Sequence, residues 1–317
     1  MRFSKASLYF QVSFATMVWG AAYPLTKHLL TQVSPISVVF LRALIGALVL
    51  VLMTGSRFTA ADFRFPDLWR LAVLSVVGVT LQHYLQGYAL MHTTAGNAGW
   101  LIGTAPIMVA LLMITVGETL TAAKSLAFAL GFAGTLIVIF SKGGAGGVFA
   151  LPSTTGDFIF LTSCVSWAFY VLFTRRWLTG WTQAKVTTAT MVVALFSVLP
   201  VWLSAGGPTE LARLDARGAA YALFLGVVAS GLCYYFWNNS VEGLGAVKSS
   251  YFIYLEPFAT LASAYYFIGE RVAWGAIPGG LAILAGVYFI NAKDQALVRL
   301  RARVSSTLGL QKHGSLA

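Results

Sequence analysis

Two ionisable side chains stand inside long apolar runs, and their surroundings limit the chemistry open to them. Glu256, in "YFIYLEPFAT", lies about ten residues into the run 246–268. At about 1.5 Å per residue that is near the centre of a hydrocarbon layer. An acid there costs at least about 2.5 kcal/mol and faces protein or water. It can exchange a proton with a hydrated cavity, receive a substrate ammonium, or act as a structural acid beside Pro257, where a helix hydrogen bond is lost. Arg42 lies about seven residues into the run 35–54. Its planar fork suits a carboxylate, from substrate or protein, or the carbonyls of a helix end. Lys248, at the start of the run 246–268, can snorkel to the interface or make a gating contact.

A second group is polar but uncharged. His83 sits in "LQHYLQGY", where Gln82 and Gln86 are one helical turn apart, so this run carries a polar strip facing protein or a cavity. His83 can touch substrate, titrate near neutral pH, or pack as a hydrogen-bonded ring. Aromatic side chains form a third group, with Trp19 and Tyr23 at spacing four, Tyr234 and Trp237 at spacing three, Tyr251 and Tyr254 at spacing three, and Trp100, Trp167 and Tyr170. Such rings suit a partly apolar substrate or a cation held against ring faces, or they pack with no ligand at all. Trp177, Trp181 and Trp202 lie at run ends and read as interfacial anchors.

Enzyme chemistry lacks its motifs. The four histidines form no His-Glu-x-x-His pattern, "VASG" at Val228–Gly231 misses the first Gly of a nucleophile turn, and no Gly-x4-Gly-Lys phosphate loop occurs. Cys164 and Cys233 sit in apolar runs and read as core residues. No catalytic residue, metal site or cofactor is expected.

The elements that position these residues follow from composition. Of 317 residues 58% are hydrophobic and 10% charged, against about 25% charged in a soluble domain. Apolar runs long enough to cross about 30 Å of hydrocarbon fall at 6–30, 35–54, 70–91, 95–116, 121–140, 157–176, 183–204, 218–241, 246–268 and 273–292. The first run is too long for a signal-peptide core and holds Trp19, Tyr23 and Pro24 where a cleavage site would lie, so it reads as a permanent span. With ten spans both termini share one side. Fifteen of the 21 basic residues fall on that side and five on the other, which predicts cytoplasmic termini, a basic cytoplasmic tail over 293–317, and no nucleic-acid role for the net charge of +11.

The chain also repeats itself. Trp19 and Trp167 stand 148 apart, as do Gly78-Val79 and Gly226-Val227. "WLIGTAP" at Trp100–Pro106 lies over "YFIYLEP" at Tyr251–Pro257 at 151, and Gly117-Glu118 over Gly269-Glu270 at 152. Units 6–140 and 157–292 then hold five spans each, and an odd number inserts the second unit upside down. The expected fold is an all-α polytopic membrane protein of ten transmembrane helices in two inverted five-helix repeats. That plan suits alternating access, with Pro106 and Pro257 as paired hinge candidates. Gly275 and Gly279, at spacing four, permit close helix approach within the chain or in a dimer. Glu118 and Glu270, at the starts of the fifth and tenth helices, can satisfy free N–H groups.

Trp19-Gly20, Arg42, and a Pro followed about eleven residues later by Gly-Glu in each half resemble the EamA-type branch of the drug/metabolite transporter superfamily, most closely over "GAVKSSYFIYLEPFATLASAYYFIGERV" at Gly245–Val272. The resemblance covers residues 10 to 292. It implies a substrate cavity lined by the first, third, fourth, sixth, eighth and ninth helices, with the fifth and tenth outside. On those helices Trp19 pairs with Trp167 and Trp100 with Tyr251, which suggests aromatic walls shared by the two halves. The function so implied is export of small metabolites, amino acids including aromatic or neutral ones first, drugs or cationic metabolites second. The expected setting is a bacterial inner membrane, with a small-molecule substrate and lipids as partners, as monomer or homodimer.

Overall fold

The computed structural model describes residues 3–55, 58, 65–115, 117, 122–140, 154–244, 249, 251–271, 274–286 and 288; among them the regular structure is entirely helical. Helix starts follow ordinary capping chemistry. Ser4, Thr94, Thr182 and Asp215 each accept the amide of the residue three ahead. Ser34 precedes Pro35, whose fixed φ and missing N–H suit a first helical position.

Helix α1 is Lys5–Leu29 and α2 is Pro35–Thr54. Helix α3 runs as Phe65–Ser75, a π-helical stretch Val76–Leu81, and Gln82–Leu90. Helix α4 runs as Ala95–Leu101, a 3-10 turn Ile102–Thr104, and Ala105–Thr115. Then come α5, Ala122–Phe140, α6, Thr154–Trp177, and α7, Gln183–Ser204, followed by a short helix Gly207–Leu211. Helix α8 is Ala216–Leu223, a π-helical stretch Phe224–Leu232, and Cys233–Leu244. Helix α9 opens as a 3-10 turn, Tyr251–Leu255, and continues as Glu256–Ile268, while α10 is Ala276–Gly286. Among the described residues, Pro35–Thr54, Asp67–Leu90, Thr155–Thr174, Gln183–Ser204 and Ala216–Leu244 are long and apolar enough to cross a membrane.

The irregular stretches have identifiable causes. Pro106 and Pro257 lack the N–H that would continue the helix, and each follows a turn tightened to 3-10 geometry; in the first, the Ala105 amide takes the Ile102 carbonyl. Gly78, in the π stretch of α3, lies so close to α6 that an added Cβ would sit 2.4 Å from Tyr170 Cβ. Gly226, in the π stretch of α8, lies as closely on α2, with Ile45 Cβ at 2.5 Å.

Packing interleaves the two halves of the chain. Helix α1 lies against α8 and α9, and α6 against α3 and α4; α2 lies against α7 and α8, and α7 against α2 and α3. Helices α5 and α10 meet where a Cβ on Gly134 would lie 2.5 Å from the Gly279 carbonyl and a Cβ on Gly279 2.6 Å from the Gly134 carbonyl. The small-residue surface at Gly279 is therefore used within the chain.

The turns after α1, α3, α7 and α9 gather on one face, tied by polar contacts. Lys27 Nζ donates to the Thr93 carbonyl at 2.6 Å and pairs with Glu270 at 3.6 Å. Glu270 accepts the Ala95 and Gly96 amides at 3.1 and 2.8 Å, so it caps α4 across the bundle. Glu210 accepts the Ser34 amide and hydroxyl at 2.9 and 2.7 Å and the Ser37 hydroxyl at 2.6 Å, capping α2. Burial pushes the Glu210 carboxyl up, but the Ser37 and Ser34 hydrogen bonds, with Arg213, outweigh it and hold the group below the usual carboxylate range. The Gly218 amide, with Gln32, holds Asp215 low as well.

Candidate functional site

A cavity of about 90 Å³ opens between the helices at the level of the irregular stretches. Its wall takes Trp19, Ala22 and Tyr23 from α1, Arg42 from α2, and Gln82, His83 and Gln86 from α3. It also takes Ile102 and Ala105 from α4, Trp167 from α6, Tyr234 and Trp237 from α8, and Ile253 and Glu256 from α9. Residues that follow the π stretches supply one set, and those in or just after the 3-10 turns supply another. Irregular helix both re-aims side chains and leaves carbonyls for outside donors.

Those carbonyls fix the wall. Trp19 Nε1 donates to Ala229 O at 2.9 Å, Ser166 Oγ to Val77 O, and Arg42 Nε to Ser230 Oγ at 3.0 Å, all within or onto π stretches. His83 Nδ1 lies 2.8 Å from Val79 O, also in a π stretch. Trp19 holds Tyr234 and Trp237 at centroid distances of 5.1 and 5.4 Å, forming a three-ring wall. Tyr23 meets Phe160 edge-on at 5.6 Å.

Arg42 and Glu256 are the basic and the acidic side chain on this wall. Neither makes an ion pair among the described residues, whose two pairs are Lys27–Glu270 and Arg70–Asp67. Glu256 is only 4% exposed, and its carboxyl oxygens have no hydrogen-bond partner among those residues. Its carbonyl lies against Gly20, where an added Cβ would sit 2.4 Å away.

Several residues expected at the cavity lie elsewhere. Trp100 packs against Gly280 of α10, 2.2 Å from where a Cβ would stand, and edge-on to Phe258 at 5.9 Å. It turns away from the cavity because the 3-10 turn follows it and re-aims only Ile102 and Ala105. Tyr170 stacks on Trp167 at 5.3 Å but is buried behind it against Gly78. Lys248 and the side chains of Tyr251 and Tyr254 lie outside the described residues. Trp202 is buried, stacked on Phe40 at 3.7 Å and donating to Ser37 at 2.9 Å, so it is a packing residue and no anchor. Pro106 and Pro257 each come one residue after a wall residue, Ala105 and Glu256, past the 3-10 turns.

Wall residues of the two halves match at two spacings. His83 and Tyr234, Gln86 and Trp237, Ile102 and Ile253, and Ala105 and Glu256 all stand 151 apart, and Trp19 and Trp167 stand 148 apart. Gln82 belongs to the polar strip read on this helix, and Ile253, which drew no attention in the sequence, is reached by applying the spacing of 151 to Ile102.

This helical bundle with a central polar and aromatic cavity is that of a membrane transporter. The family model of the EamA-like transporter family matches residues 7–140 and 154–292, and the chain belongs to that family. An "Uncharacterized transporter" of Archaeoglobus fulgidus is 26% identical over 278 residues, covering 88% of this chain and 95% of that protein. A "Probable terminal-alkyne amino-acid exporter" of Streptantibioticus cattleyicolor is 25% identical over 313 residues, covering 98% and 99%. One solved crystal structure, 17% identical, shares the fold with a TM-score of 0.62 over 93% of this chain and 99% of its own. The protein is a transporter of the EamA type, not an enzyme.

Proposed function

We propose that this protein is a secondary transporter that exports small metabolites, amino acids including aromatic or neutral ones foremost, by alternating access. The observation that carries the reading is the cavity wall: one cation, Arg42, and one acid, Glu256, both free of ion pairs among the described residues, flank a ring of Trp and Tyr faces. A zwitterion with an apolar body is complementary to all three features, its carboxylate to the Arg42 fork and its ammonium to Glu256. The name of the Streptantibioticus relative points the same way. At about 90 Å³ the cavity is well below the roughly 300–1,000 Å³ of a typical ligand cleft, so loading requires the walls to part.

Ten spans in two inverted repeats, 6–140 and 157–292, supply that motion. Supporting this are the two family matches in tandem, the matched spacing of the wall residues, 151 for four pairs and 148 for Trp19 and Trp167, and the mirrored packing of α1 and α6. The basic residues favour a bacterial inner membrane with cytoplasmic termini and a cytoplasmic tail at 293–317. The acid and the three-ring wall also suit a cationic drug or metabolite, which is the second reading.

Counterflow into liposomes, with a panel of neutral amino acids and cationic drugs and with or without a pH gradient, tests both. Exchange of neutral amino acids is the expected result. Exchange of cations alone would replace the first reading by the second, and exchange of neither would overturn both.

A further inference from the structure

Gln82 and Gln86 stand one turn apart on α3 and both line the cavity, but their amides differ. Gln82 Oε1 is sealed from water without a partner, whereas neither amide atom of Gln86 is sealed. Gln86 is 7% exposed, and its side chain makes no hydrogen bond among the described residues. An open but unpartnered amide on a cavity wall calls for a partner from outside the chain, water or ligand. The same holds for Arg42. Its Nε donates to Ser230, while the remaining guanidinium N–H groups have no acceptor among the described residues and are not sealed.

A second, smaller cavity begins at these two residues. At about 10 Å³ it has room for one water-sized group, and Tyr23, Arg42, His83 and Gln86 border both cavities. Its further walls include Thr26, Val39 and Leu90, which lie nearer the end of α1, the start of α2 and the end of α3, so it extends toward the face where the turns gather. A space this small gathers its bordering side chains around a single small group. The basic Arg42 borders it, whereas of the two cavities the acidic Glu256 lines only the larger.

We propose that the smaller cavity is the carboxylate subsite, with Gln86 as a specificity-determining donor beside Arg42, so that the substrate stands with its carboxylate toward the gathered turns and its ammonium toward Glu256. The proposal rests on the reading of the cavity as an amino-acid site, and it adds a residue, an orientation and an exclusion. One oxygen fits this space and a methoxy group does not, so the site requires a free carboxylate and refuses esters and C-terminally extended peptides. The Gln86 amide supplies N–H donors, whose hydrogen bond to an ionised carboxylate is stronger than that to a neutral amide.

The test titrates purified full-length protein calorimetrically with phenylalanine, phenylalaninamide and phenylalanine methyl ester, which share ring and ammonium and differ at the head. The wild type should bind phenylalanine about tenfold or more tighter than either analogue, the factor given by hydrogen bonds to a charged group. Gln86→Met, close in volume, should lower the preference for phenylalanine over phenylalaninamide about fivefold, the difference between bonding a charged and a neutral acceptor. Gln86→Glu, ionised beside the Arg42 cation, should reverse that preference. A residue that only shaped the helix would change all three affinities together and leave their ratios alone. A wild-type ratio near or below one, or a ratio unchanged in both variants, overturns the carboxylate subsite while leaving amino-acid exchange in liposomes intact. Binding of no probe, together with no counterflow, overturns the subsite and the amino-acid reading alike.

Discussion

Removing Glu270 should cost about 2 kcal/mol of stability, and the reason lies across the bundle from its own helix. Its carboxylate is 16% exposed and accepts the Ala95 and Gly96 amides at 3.1 and 2.8 Å, two of the free donors at the start of α4. Loss of a helix cap typically costs about 1 kcal/mol per hydrogen bond. Lys27, 31% exposed and 3.6 Å away, adds about half a kcal/mol or less as a partly solvated pair. Glu270→Ala should therefore cost about 2 kcal/mol and Glu270→Gln, which keeps one acceptor oxygen, about half of that. Lys27→Ala should cost less than Glu270→Ala, since it leaves the cap in place. Cys164 and Cys233 are both free and buried, so a thiol-reactive dye in detergent reports unfolding directly. An unfolding transition of Glu270→Ala equal to that of the wild type would refute the cap. So would a larger loss in Lys27→Ala, which would make the ion pair the principal contact.

Glu210 should make stability depend on pH. Its folded pKa lies below the unfolded value of about 4.3, so its contribution is complete above that pH and is lost as pH falls through the folded value. Melting curves from pH 6 to 3 should fall less steeply for Glu210→Gln than for the wild type. Gly20→Val should cost about 1–3 kcal/mol by overpacking, because even a Cβ would lie 2.4 Å from the Glu256 carbonyl; the same dye assay measures it. Trp100→Ala and Trp237→Ala should separate in a joint stability and transport assay. The first should cost about 3 kcal/mol of stability with affinity unchanged, and the second should weaken affinity about tenfold by opening the three-ring wall. Glu256→Gln should change the pH profile of transport, and an unaltered profile would leave that acid a structural role.

Much of this was legible because hydrocarbon imposes long apolar runs. Pro35–Thr54 and Gln183–Ser204 coincide with their runs at both ends. Arg42, Glu256, Trp19, Tyr23, His83, Gln86, Trp167, Tyr234 and Trp237 reach one cavity; for the polar ones among them this follows because polar side chains in such runs face protein or water. Trp100 lies away from the cavity wall although the repeat pairs it with Tyr251, because a repeat fixes position along a helix and says nothing of the direction a side chain takes around it. The π stretches were invisible, since one wider turn leaves the apolar count of a run unchanged. Glu270 read as a cap near its own helix, and only tertiary packing revealed that it serves α4.

The pairing of wall residues between the two halves bears on how selectivity can change. In a symmetric homodimer every group beside the two-fold axis is met by its own copy, so an acid there confronts a second acid, and one of the two must hold a proton. A single chain escapes that constraint. Trp19 answers Trp167 and Ile102 answers Ile253 with the same residue, but Ala105 answers Glu256, His83 answers Tyr234 and Gln86 answers Trp237, so three of the five matched positions carry two different chemistries. A mutation on one side is felt once, and the polar wall can drift toward a new solute while the aromatic wall keeps its grip on the old one.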